Sequence, residues 1–315
     1  MPGGGGPNAV VGGVDYGYQI GKYEVTNGQY AAFLNAVAVR ERHGLYNPEM
    51  ASGWKDIGGI IREGEQGSYS YSVRPGRENR PVNYVSFWDS LRFANWLHNG
   101  QPTGRQDAST TESGAYLLGG ITEPPNESVH RALDARVWLP SEDEWYKAAY
   151  YDPALNDGAG GYWDYATQSD TAPTSEPPPG TDPINGSANY WPNGGNPALG
   201  PPDYTTEVGA YASAAGPYGT FDQSGNVLEW NEAIFPDSFR GSRGGSFDGF
   251  ELHLRASRRL RTNADREDDN IGFRVAQIPE PTGWGLLLVS VPLLRRGRRK
   301  THGQRRKSLR TRLLR

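Results

Sequence analysis

The chain has 315 residues, 36% hydrophobic and 11% aromatic, and no cysteine. It can bury a core, but disulfides, thiolate nucleophiles and thiolate metal ligands are excluded. The net charge of −4 is split: residues 295–315 carry eleven Lys or Arg and no acid, leaving −15 on residues 1–294, which argues against a nucleic-acid-binding body.

The N-terminal segment 1–15 has neither a charged start nor a long apolar run, and reads as a flexible leader rather than a signal peptide. "YQIGKYEV" near residue 20 predicts a short strand. Three helix starts follow, each with a hydroxyl residue three positions before an acid or amide. These are Thr26 with Gln29, Ser86 with Asp89, and Ser141 with Glu144. In such a capping box each side chain takes one backbone N–H left orphaned at the helix start. "VWL" at 137–139 and "IGFRVA" at 271–276 predict two more strands. With 42 Gly and 24 Pro, long loops packed on a modest scaffold are expected. The longest, Thr167 to Tyr204, is nearly free of periodicity, yet its Trp191 and two Tyr suggest that it is pinned down, for which a bound cation is one means. "DREDDN", Asp265 to Asn270, reads as a solvated acidic turn.

Candidate chemistry concentrates in "FDQSGNVLEWNEA", Phe221 to Ala233. Calcium takes six to eight oxygens, mixing carboxylates with carbonyls. Asp222 and Glu229 could supply carboxylates, and Gly225 permits a tight turn that aims its own carbonyl and that of Val227 inward. The regular acidic alternation of an EF-hand is absent, and an ordinary Asx turn before a strand explains the same residues. None of the five histidines forms a His-x-x-x-His or similar pair, and no Ser-His-Asp motif, phosphate loop or dinucleotide fingerprint is present.

Six stretches in order, "IGKYEVTNGQYAAFLNA", "RPVNYVSFWDSLRFANWL", "VWLPSEDEWYKAAYYD", "GTFDQSGNVLEWNEA", "RGSRGGSFDG" and "DDNIGFRVA", resemble the sulfatase-modifying-factor or formylglycine-generating-enzyme domain over residues 16–277. The resemblance implies an α+β fold, a loop-rich variant of the C-type lectin fold with short helices and small antiparallel sheets. It implies calcium at Asp222, the carbonyls of Gly225 and Val227, and Glu229. A second implied site takes Asn189 with the Tyr190 carbonyl, and Asp203 with the Tyr204 carbonyl. Ser246 matches the family's active-site serine. Catalytic members carry two copper-binding cysteines just beyond it, where this chain has Gly, Phe, Leu and His between Arg243 and Arg259. No copper is therefore expected, and formylglycine formation by that route is excluded. Without a cysteine, Ser246 is left with no base or metal to act with. The iron-dependent branch draws its histidines from an added helical domain that this chain lacks.

"IPEPTGWGLLLVSVPLLRRGRRK", Ile278 to Lys300, joins a Pro-Glu-Pro, a short apolar run and an arginine cluster. The run is too short for a spanning helix, which needs roughly 20 residues. It resembles the PEP-CTERM sorting signal, which implies cleavage by an exosortase-type enzyme, membrane contact before cleavage, and export to the cell envelope or beyond. Residues 301–315 form a further basic tail. The sequence thus leads to an exported, calcium-stabilised, non-catalytic binding or structural domain, with a carbohydrate or protein ligand and no nucleic-acid partner. The alternative is an oxygen-dependent oxidoreductase of the same family that uses ligands other than cysteine.

Overall fold

The computed structural model describes residues 10–279; residues 1–9 and 280–315, which hold most of the expected leader and expected sorting tail, lie outside the described residues. All three capping boxes form. Helix α1 (Asn27–Val37) starts where Thr26 Oγ1 accepts the Gln29 N–H at 3.3 Å and the Gln29 side chain accepts the Thr26 N–H at 3.0 Å. Ser86 with Asp89 opens α2 (Phe87–His98), and Ser141 with Glu144 opens α3 (Glu142–Tyr150). A cap of this kind stabilises by about 1 kcal/mol, which matters for helices of 9 to 12 residues that would not persist alone.

The largest sheet has four strands in the order Leu260–Asn263, Phe239–Arg243, Leu228–Phe235, Ile271–Gly272. Its first three strands are antiparallel, and Ile271–Gly272 joins Leu228–Phe235 in parallel. A second sheet sets Ala276–Gln277 between Gln19–Ile20 and Val137–Trp138, all antiparallel. A hairpin, Ile60–Glu63 with Ser70–Val73, and two pairs of two-residue strands complete the set. The α+β class, with short helices and small sheets, is as expected. The stretch 271–276 is not one strand, because Arg274 turns inward between the two sheets to meet Glu229. "YQIGKYEV" contributes only Gln19–Ile20 as strand, with Val25 held separately by its N–H on the Phe273 carbonyl.

The main core lies between α1, α2 and the four-stranded sheet. Phe93 of α2 packs at 5.3 Å from both Phe33 and Phe273, 5.7 Å from Trp96 and 6.0 Å from Tyr30, measured between ring centroids. Losing such a ring costs about 3–5 kcal/mol, because four neighbours cannot all collapse into the gap. Trp230 is fully buried against Phe87, and its indole N–H donates to the Val85 carbonyl at 3.0 Å. A smaller core gathers Trp145, Tyr146 and Tyr150 of α3 with Ala256.

Four arginines, Arg92, Arg240, Arg243 and Arg274, are fully buried, and each is satisfied. Arg92 forks onto both oxygens of Glu112. Arg243 meets Glu142 and the carbonyls of Ala256 and Arg258. Among the described residues Arg240 has no carboxylate of its own; Asn126 and the carbonyls of Val129 and Glu232 accept from it, and its guanidinium lies 4.4 Å from the centre of the Phe87 ring. Burial lowers its pKa to about 10, so it stays charged at neutral pH. Guanidiniums therefore close off loop carbonyls that no regular structure satisfies.

The long segment 167–204 is pinned by side-chain bonds. The Glu176 carboxylate accepts from the Thr181 N–H and hydroxyl and from Ser187, while Asp182 takes the N–H groups of Ile184 and Asn185. Those amides hold the Asp182 pKa down at about 2. Tyr190 and Tyr211 donate their hydroxyls to the Pro173 and Glu176 carbonyls at 2.7 Å each. The run Asp265–Asn270 departs from the solvated turn expected of it. Glu267 is partly buried beneath Asn47, whose side chain donates to it at 2.6 Å, and burial together with repulsion from Asp89 raises its pKa to about 8.

Candidate functional site

The stretch 221–233 leaves its turn and enters the strand Leu228–Phe235, and the turn needs special backbone at three positions. Asp222, Gly225 and Asn226 have φ of 63°, 105° and 62°. A Cβ on Gly225 would sit 2.3 Å from the Asn189 carbonyl oxygen, so the position requires glycine for space as well as for its left-handed conformation. Asp222 and Asn226 are the residue types that tolerate that conformation best after glycine.

This geometry gathers three carboxylates near Arg274, and one of them, Glu229, contacts its guanidinium. Glu229 is fully buried; its Oε2 accepts from Arg274 Nε at 2.6 Å and from the Trp145 indole at 2.8 Å, and its Oε1 accepts from Arg274 Nη2 at 2.7 Å. Four acceptor positions on a carboxylate leave one free, on Oε1. Arg274 also donates to the carbonyls of Phe221 and Gly21, both at 2.8 Å. Burial opposes its charge, and Glu229 outweighs that by holding the proton on. Asp222 Oδ2 accepts the Gly209 N–H at 2.6 Å. The third carboxylate, Glu24, is buried and absent from the sequence-based set; its Oε2 accepts from Asn226 at 3.2 Å, and among the described residues its Oε1 has no partner.

The charges do not balance. Burial, then repulsion from Asp222 and Glu229, pushes the Glu24 pKa well up. Burial and Glu229 push Asp222 to about 6 against an ordinary 3.8. Among the described residues no three acids or histidines converge on a single metal position. A cation here would thus need carbonyls as well as carboxylates, which is the mixture that calcium takes.

Asn226 joins this cluster to the second candidate set. Its Oδ1 accepts from the Thr206 N–H at 2.9 Å and from Asn189 Nδ2 at 3.3 Å, and its backbone N–H donates to the Asn189 carbonyl at 2.8 Å. Asn189 Nδ2 also reaches the Tyr204 carbonyl at 2.7 Å, while its Oδ1 is buried and has no partner among the described residues. Asn189 and Tyr204 are therefore together. Tyr190 directs its carbonyl to Ser175, and Asp203 turns outward to Arg80 at 2.7 Å. Arg77 and Arg80 both donate to the Asp203 carbonyl.

Ser246 is buried, and its hydroxyl donates to Asp248 at 2.6 Å; Asn270 in turn donates to both Asp248 oxygens at 3.0 and 3.1 Å. His253, on the same loop, accepts the Phe250 N–H at Nδ1. Leu254, in the loop 243–259, is fully buried in an apolar cluster with Tyr165, Ala188 and Tyr190. The residues missed from the sequence, Glu24 and Asn226, had one signal each: an acid between Tyr23 and Val25 in an apolar stretch, and an Asn directly after the turn glycine.

Residues 13–278 match the family model described as "Sulfatase-modifying factor enzyme 1-like domain". No curated protein matches the chain. Among solved structures, CarF aligns with TM-score 0.53 at 22% identity over 84% of this chain and 87% of its own. Treponema denticola variable protein 1 aligns with TM-score 0.45 at 18% identity over 85% and 91%, and PvdO from Pseudomonas aeruginosa with 0.44 at 20% over 83% and 80%. The likeness to CarF shows the fold.

Proposed function

The chain belongs to the sulfatase-modifying factor enzyme 1-like family, and we propose that within it this protein is a non-catalytic binding or structural domain whose loops are held by calcium. The observation carrying this reading is the crowding of carboxylates: Glu24 and Asp222 lie near the buried Glu229–Arg274 pair, and among the described residues Glu24 Oε1 has no partner. A hard divalent cation would relieve that crowding. Asp222, the free position on Glu229 and the carbonyls of Gly225 and Val227 would hold it, with Glu24 beside them. The orphaned Asn189 Oδ1 supports a second position that includes the Tyr204 carbonyl, with Tyr190 and Asp203 as its other family-matched members. Calcium there would supply structure rather than chemistry, tying Asn189 and Tyr204 to the turn. The lack of cysteine leaves the family's thiolate-copper step without ligands, which supports the non-catalytic reading. The Pro-Glu-Pro, apolar run and arginines of residues 278–300 support export through an exosortase-type enzyme.

Metal analysis of the purified chain tests the proposal. Stoichiometric calcium, a melting temperature that falls in chelator, and loss of that response in Asp222→Asn are expected. Bound copper or iron with oxygen consumption overturns it, as does a melt indifferent to calcium. Glu229 is a poor choice for the variant, because removing it strands Arg274. For export, deletion of residues 279–300 should change retention at the membrane or release to the medium, and an unchanged distribution refutes the sorting tail.

A further inference from the structure

A surface cavity of ≈ 460 Å³ opens beside the N-terminal strand, lined by Tyr16, Tyr18, Ile20, Lys22, Lys147 and Tyr218 among others. That volume lies in the range of small-ligand sites. None of its lining residues belongs to the 222–229 turn or to the Ser246 loop. We propose that this cavity binds carboxylated sugars, such as uronic-acid units of a polysaccharide; the proposal rests on reading the protein as a binding domain and supplies its ligand class.

The aromatic walls are set in advance. Tyr16 donates its hydroxyl to Glu144 Oε1 and Tyr18 to the Glu144 carbonyl, both at 2.7 Å. Their rings lie 6.3 Å apart, edge to face. With their hydroxyls tied down, these side chains lose little further freedom on binding. Tyr16 and Tyr218 are each about half exposed, so ring surface is available to the C–H face of a pyranose.

The charge in the walls is positive. Among the described residues no acidic side chain lines the cavity and neither lysine pairs with a carboxylate. Lys147 Nζ donates to the Val14 carbonyl at 2.8 Å and lies 5.8 Å from the Tyr151 ring. Lys22 Nζ lies over the rings of Tyr23 and Phe221, 5.4 and 5.1 Å from their centres. An ammonium carries three donors, so each lysine has N–H groups left for a ligand carboxylate. An acidic peptide is the weaker fit: the adjoining edge strand, Gln19–Ile20, is two residues long and offers little template for an added strand.

The test is calorimetric titration of the full chain with trigalacturonate, its neutral galactose trimer and an oligoglutamate of equal charge, at fixed calcium and two salt concentrations. Trigalacturonate should bind, more weakly at high salt, and Lys22→Gln and Tyr218→Ala should each weaken it about tenfold or more. Both substituted side chains are exposed, so the melting temperature should not move. No binding of trigalacturonate, equal binding of the neutral trimer, or equal binding of oligoglutamate overturns the proposal. The calcium response of the melt, read on the same sample, separates failure of this site from failure of the calcium-held binding-domain reading.

Discussion

Glu24→Gln isolates the electrostatic argument. Glutamine keeps the volume and an oxygen to accept from Asn226, and it removes one of the three carboxylates near Arg274. A carboxyl whose folded pKa is raised binds protons on folding. Its contribution is complete below the unfolded pKa and is lost as pH climbs through the folded value. For Asp222, raised from 3.8 to about 6, that loss is roughly 3 kcal/mol between about pH 4 and pH 7. Glu24, pushed up by burial and then by Asp222, adds a loss of the same sign. In chelator near neutral pH, Glu24→Gln should therefore melt higher than the wild type. The Asp222 loss of about 3 kcal/mol corresponds to roughly 6–12 °C in a domain of this size, which is what Asp222→Asn should recover under the same conditions. At about pH 4, where both carboxyls are largely protonated, the two proteins should melt together. Saturating calcium should then raise the wild type more than the variant, because the variant has less charge to neutralise. The assay is calorimetric melting of both proteins across pH, with and without calcium. A variant that melts at or below the wild type in chelator at neutral pH would sink the claim that this cluster carries surplus charge.

Two further outcomes follow from the same electrostatics. Arg274→Met should cost about 3–5 kcal/mol in chemical denaturation by stranding a buried Glu229, and adding Glu229→Gln should recover part of it; equal stabilities of single and double variants would refute the pairing argument. Glu267→Gln should gain stability over the wild type as pH rises through about 8 and match it below the ordinary glutamate range; denaturation midpoints that stay parallel over that range would show that Glu267 is not held protonated.

What the sequence shows plainly is local. Thr26, Ser86 and Ser141 lie three residues from their capping partners, so the pattern and the contact are the same thing. The strands Leu228–Phe235 and Phe239–Arg243 were not legible, because Glu229, Asn231, Arg240 and Arg243 read as polar yet lie buried in the fold. Glu229 meets Arg274 and Trp145 across 45 and 84 residues, and Arg243 meets Glu142 across 101. No period in the chain announces such pairs. The turn 222–229 stood out through its glycine and acids, and Asn189 and Tyr204 through family resemblance. Glu24 stayed hidden because its neighbours in the fold come from residue 222 onward.

The pairing of Gln19 with Gln277 also has a mechanical side. Ala276–Gln277 is gripped on both flanks, by Gln19–Ile20 and Val137–Trp138. Tension applied beyond residue 277 loads the middle of that sheet instead of peeling an edge. Two residues further in, the load meets the guanidinium of Arg274, fastened to Glu229, Phe221 and Gly21. A pull from the C-terminal side is therefore taken up inside the domain, by an ion pair that cannot let go without leaving a charge out of reach of water.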